Sequence, residues 1–104
     1  MIKVTILYPS RPGARFDHAY YRDKHMSMVA GLVGDACKGW GVDQGLSGGA
    51  PGVPAPFLCI GTLLFESVPA FQEAFAPHGK AIGADVANYT DVAPVMQISE
   101  VLAG

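Results

Sequence analysis

The chain has 104 residues, of which 50% are hydrophobic and 15% are charged, and its formal net charge is −2. This length fits one domain over residues 1–104, and so apolar a composition excludes a disordered chain. The seven lysines and arginines are scattered, which excludes the clustered basic face of a nucleic-acid binder. No run of about 18 apolar residues could span a membrane, and the N-terminus lacks the apolar run of a signal peptide. We therefore expect a cytoplasmic protein.

A strand and a helix are predicted in the first third of the chain. Residues 2–8 alternate in polarity and are rich in β-branched side chains, a pattern typical of a strand. After a break of prolines and a glycine, Asp17 can cap a helix, and Phe16 can pack on Tyr21 as a hydrophobic staple. We expect this helix to end just before Gly34, which suits a left-handed stop.

The rest of the chain contains three strands and a second helix. Strands are predicted over residues 38–46, over the almost wholly apolar residues 57–65, and over residues 95–102. Glycines and prolines make residues 45–56 a long loop. The second helix begins after Ser67, is interrupted at a Pro-His-Gly break, and ends near residue 88.

The order of these elements is βαββαβ, which belongs to the α+β class. It predicts a ferredoxin-like sandwich, in which a four-stranded antiparallel sheet carries both helices on one face. The strand over residues 57–65 is apolar on both faces, so the helices leave an apolar face open. Monomers rarely tolerate such a surface, and we therefore predict a homodimer through the open sheet face.

His25 is the main candidate for chemistry because it falls inside the apolar stripe of the first helix. At 100° per residue it shares that stripe with Tyr21 and Val29, and a polar ring placed there needs a hydrogen-bond partner or a ligand. Imidazole titrates near neutrality, which suits a general acid or base. Two interpretations stay open: a buried histidine satisfied by a backbone carbonyl or by Tyr21, or a ligand-facing catalytic residue oriented by Tyr21.

Three further side chains are weaker candidates for binding a substrate. Tyr20 neighbours Tyr21 and could orient a ligand, and Trp40 could contribute an aromatic wall. His78 lies at the break in the second helix, where site residues are often found. A carboxylate paired with His25 would favour catalysis, and Asp43 is the only predicted sheet carboxylate near enough to consider.

Neither a metal nor a cofactor is predicted. Cys37 and Cys59 lack the spacing of a zinc site or a disulfide framework. His18 and His25 are separated by about two helical turns, which is too far for both to bind one metal ion. Haem bound by His25 alone has no supporting pattern, and there is no nucleotide-binding motif.

Two segments resemble the EthD family, which is named for a protein of ethyl tert-butyl ether degradation. Residues 16–29 are similar to the family's first-helix signature, in which the aromatic pair Tyr20 and Tyr21 precedes His25. A serine stands where the family often has a proline. Residues 85–101 resemble the family's segment before and through its last strand. The resemblance covers essentially the whole chain.

The resemblance implies a dimeric α+β barrel, in agreement with the predicted topology. Relatives of that barrel include cofactor-free monooxygenases, muconolactone isomerases, polyketide cyclases and haem-handling proteins, and a general oxidoreductase activity is often attached to the family. Fold alone does not choose among these activities.

Two functions follow as hypotheses. The first is a cofactor-free enzyme of oxidoreductase, isomerase or cyclase type, which acts on a small apolar or aromatic compound with His25 as acid or base. The second is a non-catalytic accessory or carrier protein that binds such a molecule without proton transfer.

Overall fold

A computed structural model describes residues 1–104, and its sheet has the predicted topology. The strands are antiparallel in the order β2-β3-β1-β4. This arrangement confirms the ferredoxin-like βαββαβ fold. In chain order the elements are β1 (Ile2–Pro9), α1 (His18–Tyr20), a π-helical turn (Tyr21–His25), α2 (Met26–Val33), β2 (Gly39–Gln44), β3 (Phe57–Phe65), α3 (Val68–Phe75), α4 (Gly79–Asp85) and β4 (Val95–Glu100). Short 3-10 turns follow α2, α3 and α4, and no helix is long and apolar enough to cross a membrane.

The helices begin and end where local side-chain chemistry favours it. The Asp17 carboxylate accepts from the backbone N–H of Tyr20 at 3.0 Å, and the Ser67 hydroxyl caps α3 in the same way. Phe16 packs on Tyr21 with ring centroids 5.3 Å apart, as the staple requires. Gly34 ends α2 at a φ of 62°, a backbone conformation that favours glycine.

Three boundaries differ from the sequence prediction. The first helix is not one regular α-helix, because a π-helical turn separates α1 from α2. The second strand is shorter than predicted and covers Gly39–Gln44, because its ladder with β3 ends at Gln44, opposite Cys59. The last strand ends at Glu100, two residues early, where its ladder with β1 ends opposite Ile2.

The two faces of the sheet have different neighbours. On the helix-covered face, alternate residues of β1 and β3 form the core; Val4, Tyr8 and Phe65 are 0–2% exposed. The opposite face carries Leu7, Ile60 and the residues that alternate with the core, and no helix covers it.

The helix layer does not extend over the two edge strands. On β4, Met96 and Ile98 share the helix-covered face with their partners on β1, yet they are 50% and 40% exposed. On β2, Trp40 pairs with the buried Leu63 and is still 44% exposed. The uncovered strip beside β4 leaves room for an opening between β4 and the second half of the helix layer.

Candidate active site

An apolar cavity of about 190 Å³ lies between the sheet and the helices. Of its 17 lining residues 13 are hydrophobic, and none is a lysine, arginine, aspartate or glutamate. Four lining side chains carry nitrogen or oxygen. They are Tyr8 from β1, Tyr21 and His25 from the π-helical turn, and Tyr89, which follows the turn after α4. A ligand in this cavity therefore meets a mostly apolar wall with a few polar atoms.

His25 and Asp85 form a buried pair at this wall. The Nδ1 atom of His25 lies 2.9 Å from Oδ2 of Asp85, and the two side chains are 5% and 17% exposed. Asp85 is the last residue of α4, so the pair joins the two halves of the helix layer. The other carboxylate oxygen, Oδ1, accepts hydrogen bonds from the Tyr20 hydroxyl at 2.7 Å and from the Asn88 amide at 2.9 Å.

These hydrogen bonds keep Asp85 ionised. Desolvation by itself would raise the pKa of Asp85, but the bonds from Asn88, Tyr20 and His25 outweigh it and hold that pKa below its usual value. An ionised carboxylate can only accept, so Nδ1 of His25 must be the donor. In the neutral imidazole this assignment leaves Nε2 without a proton and able to accept one.

Nε2 is the chemically available atom of the site. It makes no hydrogen bond to the protein, while Nδ1 is bonded to Asp85. No buried side-chain nitrogen or oxygen lacks a partner, so Nε2 must keep accessible surface. His25 lines the cavity and is only 4% exposed in total, and we therefore infer that this surface faces the cavity. The arrangement can take a proton from a ligand and stabilise the resulting imidazolium through Asp85.

Tyrosine rings fix the plane of the imidazole. Tyr21 stacks on His25 with centroids 5.5 Å apart and planes 15° apart, and Tyr89 lies against it at 4.6 Å. The hydroxyls of Tyr8 and Tyr89 share a 2.6 Å hydrogen bond. Burial, and then the neighbouring phenols, raise the pKa of both Tyr21 and Tyr89, so these groups stay neutral. They can orient a ligand but cannot serve as bases.

The π-helical turn places two of these residues together. Tyr21 begins it and His25 ends it, and the N–H of Met26 bonds to the carbonyl of Tyr21, five residues back. Such turns widen a helix locally and are frequent at functional sites. Here the wider turn leaves Tyr21 and His25 stacked and both buried against the sheet.

The structure separates the sequence candidates into two groups. Tyr21 and His25 line the cavity, and Tyr20 does not line it but holds Asp85. Trp40 lies on the edge strand β2, and His78 is half-buried beside the lining residue Gly79; neither of them lines the cavity.

The carboxylate partner of His25 was not found by sequence reasoning. Asp43 pairs with Ile60 and so belongs to the open face, on the other side of the sheet. Asp85, the actual partner, opens the segment of residues 85–94 that carries the family resemblance, and that position was the one available signal. No group of three or more metal-ligating side chains is assembled anywhere in the chain.

Fold and site together define a small α+β sandwich with one histidine–carboxylate pair at the wall of an apolar cavity. The model of the EthD domain matches residues 14–93, and the chain therefore belongs to the EthD family. An EthD-like protein from Ralstonia eutropha JMP134 is 49% identical, with a TM-score of 0.94 over 98% of this chain and 92% of that chain.

More distant structures share the fold alone. An ethyl tert-butyl ether D (EthD) family protein from Bacillus halodurans C-125 is 19% identical, with a TM-score of 0.73 over 98% of this chain and 99% of that chain. A dimeric ferredoxin-like protein of unknown function from Thermobifida fusca YX is 15% identical, with a TM-score of 0.63 over 96% and 90%. No curated protein matches the chain.

Proposed function

We propose that this EthD-family protein is a cofactor-free enzyme that moves a proton on a small, mostly apolar organic compound. The observation that carries this proposal is the His25–Asp85 pair. Its Nδ1 bond to Asp85 leaves Nε2 unprotonated toward an apolar cavity. A buried histidine with a purely structural role would also need a hydrogen-bond partner, but it would not need its second ring nitrogen left open at the wall of a cavity.

The proposed step is a proton transfer. Nε2 of His25 takes a proton from an acidic C–H or O–H bond, and the electron pair of that bond stays on the substrate as an enolate or phenolate. The imidazolium, stabilised by Asp85, returns the proton to the same or another substrate atom. General acid–base catalysis of this kind contributes about 10²–10⁴-fold. Proton removal is the first step common to isomerase, cyclase and cofactor-free oxidoreductase reactions.

The size of the cavity limits the substrate. Engineered apolar cavities of about 150 Å³ bind benzene, so a cavity of about 190 Å³ suits a molecule with one ring. Phenols, lactones and cyclic β-dicarbonyls have this size and carry an acidic O–H or C–H. Because no lysine, arginine, aspartate or glutamate lines the cavity, an uncharged substrate fits best.

The carrier function is the second candidate, and the lining itself favours it. Thirteen of 17 lining residues are hydrophobic, so a small apolar molecule could be held without any contribution from His25. The enzyme function requires Nε2 of His25 to take a proton from the bound molecule, and the carrier function does not.

A solvent-exchange experiment separates the two functions. Deuterium uptake from D₂O at the acidic carbon of one-ring lactones and β-dicarbonyls is followed by NMR, together with binding. We expect His25→Gln to lose uptake by about 10²-fold or more while it still binds the compounds. His18→Gln is the matched control, because His18 lies outside the cavity and glutamine can still donate to the Leu58 carbonyl. Binding without uptake in the wild type would establish the carrier function.

We also propose that the protein is a homodimer through the open sheet face, where no helix covers Leu7 and Ile60. The dimeric ferredoxin-like protein from Thermobifida fusca supports this state for a chain of this fold. Light scattering should give twice the chain mass of 10.9 kDa. Ile60→Lys, which puts a charge in the centre of the face, should give a monomer, whereas a monomeric wild type would contradict the proposal.

A further inference from the structure

The cavity has one side on which its lining is exposed. Most lining residues are buried, and they form the inner wall around His25. Three lining residues are exposed: Gly83 on α4, Pro94 just before β4, and Met96 on β4. The opening therefore lies between α4 and the edge strand β4, on the helix-covered side of the sheet.

Gly83 lies on the face of α4 that is turned toward the cavity. Gly79, Ile82, Gly83 and Val86 all line it, and their spacing of three, four and seven residues defines one helix face. Ile82 is buried, which shows that this face points inward. A Cβ atom built on Gly83 would meet no atom within 4 Å, whereas one on Gly79 would meet the Phe75 ring at 3.3 Å. A side chain at Gly83 would thus extend into open space at the entrance.

The backbone does not require glycine at this position. Gly83 is inside an α-helix, and its φ is not in the left-handed region. A helix with glycine in its interior is less stable than one with alanine there. Gly83 therefore lowers the stability of α4 although the backbone conformation does not require glycine. What it provides is the absence of a side chain on the exposed side of the lining, to which Met96 also belongs.

We propose that Gly83 sets the width of an entrance through which an uncharged, planar, one-ring molecule reaches Nε2 of His25. The rim consists of glycine, proline and methionine and offers no charged side chain to a ligand. Met96 is half-exposed, and its flexible thioether can adapt to the ring that passes. This inference rests on the proposed use of the cavity as a ligand site, but it requires no proton transfer.

The test compares association rates measured by NMR line-shape analysis with phenol and 2-naphthol as probes. Gly83→Leu should lower the association rate of phenol by about tenfold or more, and Gly83→Ala by less. Both losses should be larger for the two-ring 2-naphthol. Met96→Ala widens the same opening from the other side and should raise the rate.

Gly31→Leu is the matched control. Gly31 lies in helix α2, is exposed, has no atom within 4 Å of its built Cβ, and does not line the cavity. This variant introduces the same side chain into a helix and should leave phenol association unchanged. Preserved dispersion of the amide spectrum shows that a variant is folded. If Gly83→Leu does not fold, the association rates of Gly83→Ala and Met96→Ala still test the proposed entrance.

Two results would overturn the proposal: wild-type association rates in a folded Gly83→Leu or Gly83→Ala variant, or no binding of phenol by the wild type. Failure of the proposed catalytic function would give a different set of results from failure of the proposed entrance. In that case deuterium uptake would be absent, while the Gly83 variants would still slow the entry of phenol.

Discussion

The substitution Asp85→Asn should reverse the tautomer of His25, because the surroundings of the carboxylate dictate how the new amide must lie. Tyr20 and Asn88 both donate to Oδ1, and Oδ2 faces Nδ1 of His25. In the variant the amide oxygen must accept from the two donors, which turns the NH₂ group toward Nδ1. Nδ1 then becomes an acceptor, and the ring proton moves to Nε2.

The size of this effect follows from the contacts that change. A protonated Nε2 cannot act as a base, so the proposed acid–base contribution of about 10²–10⁴-fold should be lost. Three hydrogen bonds to a charged group become neutral ones, and each loses about 1 kcal/mol. Because Asp85 is 17% exposed and solvent offsets part of this loss, the free energy of unfolding should fall by about 1–3 kcal/mol in total. The melting temperature should fall by about 5–15 °C.

Long-range ¹H–¹⁵N NMR of the imidazole measures the tautomer without any substrate. In its neutral form, the His25 ring of the wild type should carry a proton on Nδ1 and none on Nε2, and Asp85→Asn should show the reverse. Tyr20→Phe is the control, because it removes one donor to Asp85 and leaves the carboxylate facing Nδ1. A wild type with its proton on Nε2, or an unchanged tautomer in Asp85→Asn, would refute the reasoning.

Three further predictions concern stability. A Cβ on Gly61 would overlap the hydroxyl of Tyr21, so Gly61→Ala should cost about 1–3 kcal/mol in urea unfolding, and an unchanged midpoint would count against this packing. Tyr8→Phe removes the 2.6 Å bond to Tyr89 and leaves a buried hydroxyl unpaired, at a cost of about 1–3 kcal/mol, part of which Tyr8→Phe/Tyr89→Phe should recover. The pKa of Asp85 is lowered in the folded state, so its ionised form stabilises the fold above the ordinary aspartate pKa, and this contribution is lost as the pH falls through the lowered value. Unfolding free energies of Asp85→Asn should therefore depend less on pH in the acid range than those of the wild type; parallel curves would contradict the prediction.

The fold could be predicted from sequence because each element carries its own signal. Alternation in β1, the cap at Asp17 and the stop at Gly34 are all local patterns, and the structure has each where the pattern indicates it. The π-helical turn could not be predicted, because one extra residue per turn leaves no distinct composition. Both of its end residues are buried, Tyr21 beside Gly61 of β3 and His25 beside Asp85 and Tyr89, and these are contacts between distant parts of the chain.

Only part of the candidate site could be predicted from the sequence. The apolar stripe places His25 inside, but its partner lies 60 residues away, beyond two strands, a long loop and a broken helix. The 3-10 turn Ala76–His78 interrupts the helical period, so the sequence alone does not give the direction in which Asp85 points. The exposure of Trp40 could not be predicted either. Trp40 lies on the helix-covered face, but the limited width of the helix layer leaves it 44% exposed.

The alternation of side chains along β1 and β3 separates the residues of the cavity side from those of the open face. In β1 the even-numbered residues, such as Val4 and Ile6, belong to the cavity side, and the odd-numbered ones between them belong to the open face. In β3 the parity is inverted, so that Leu63 faces the cavity and Ile60 faces outward. Substitutions in the cavity lining and substitutions on the open face can therefore be made through neighbouring codons without changing the other set. A single-codon insertion inside either strand would exchange the two sets of side chains between the two faces and disrupt both sets at once.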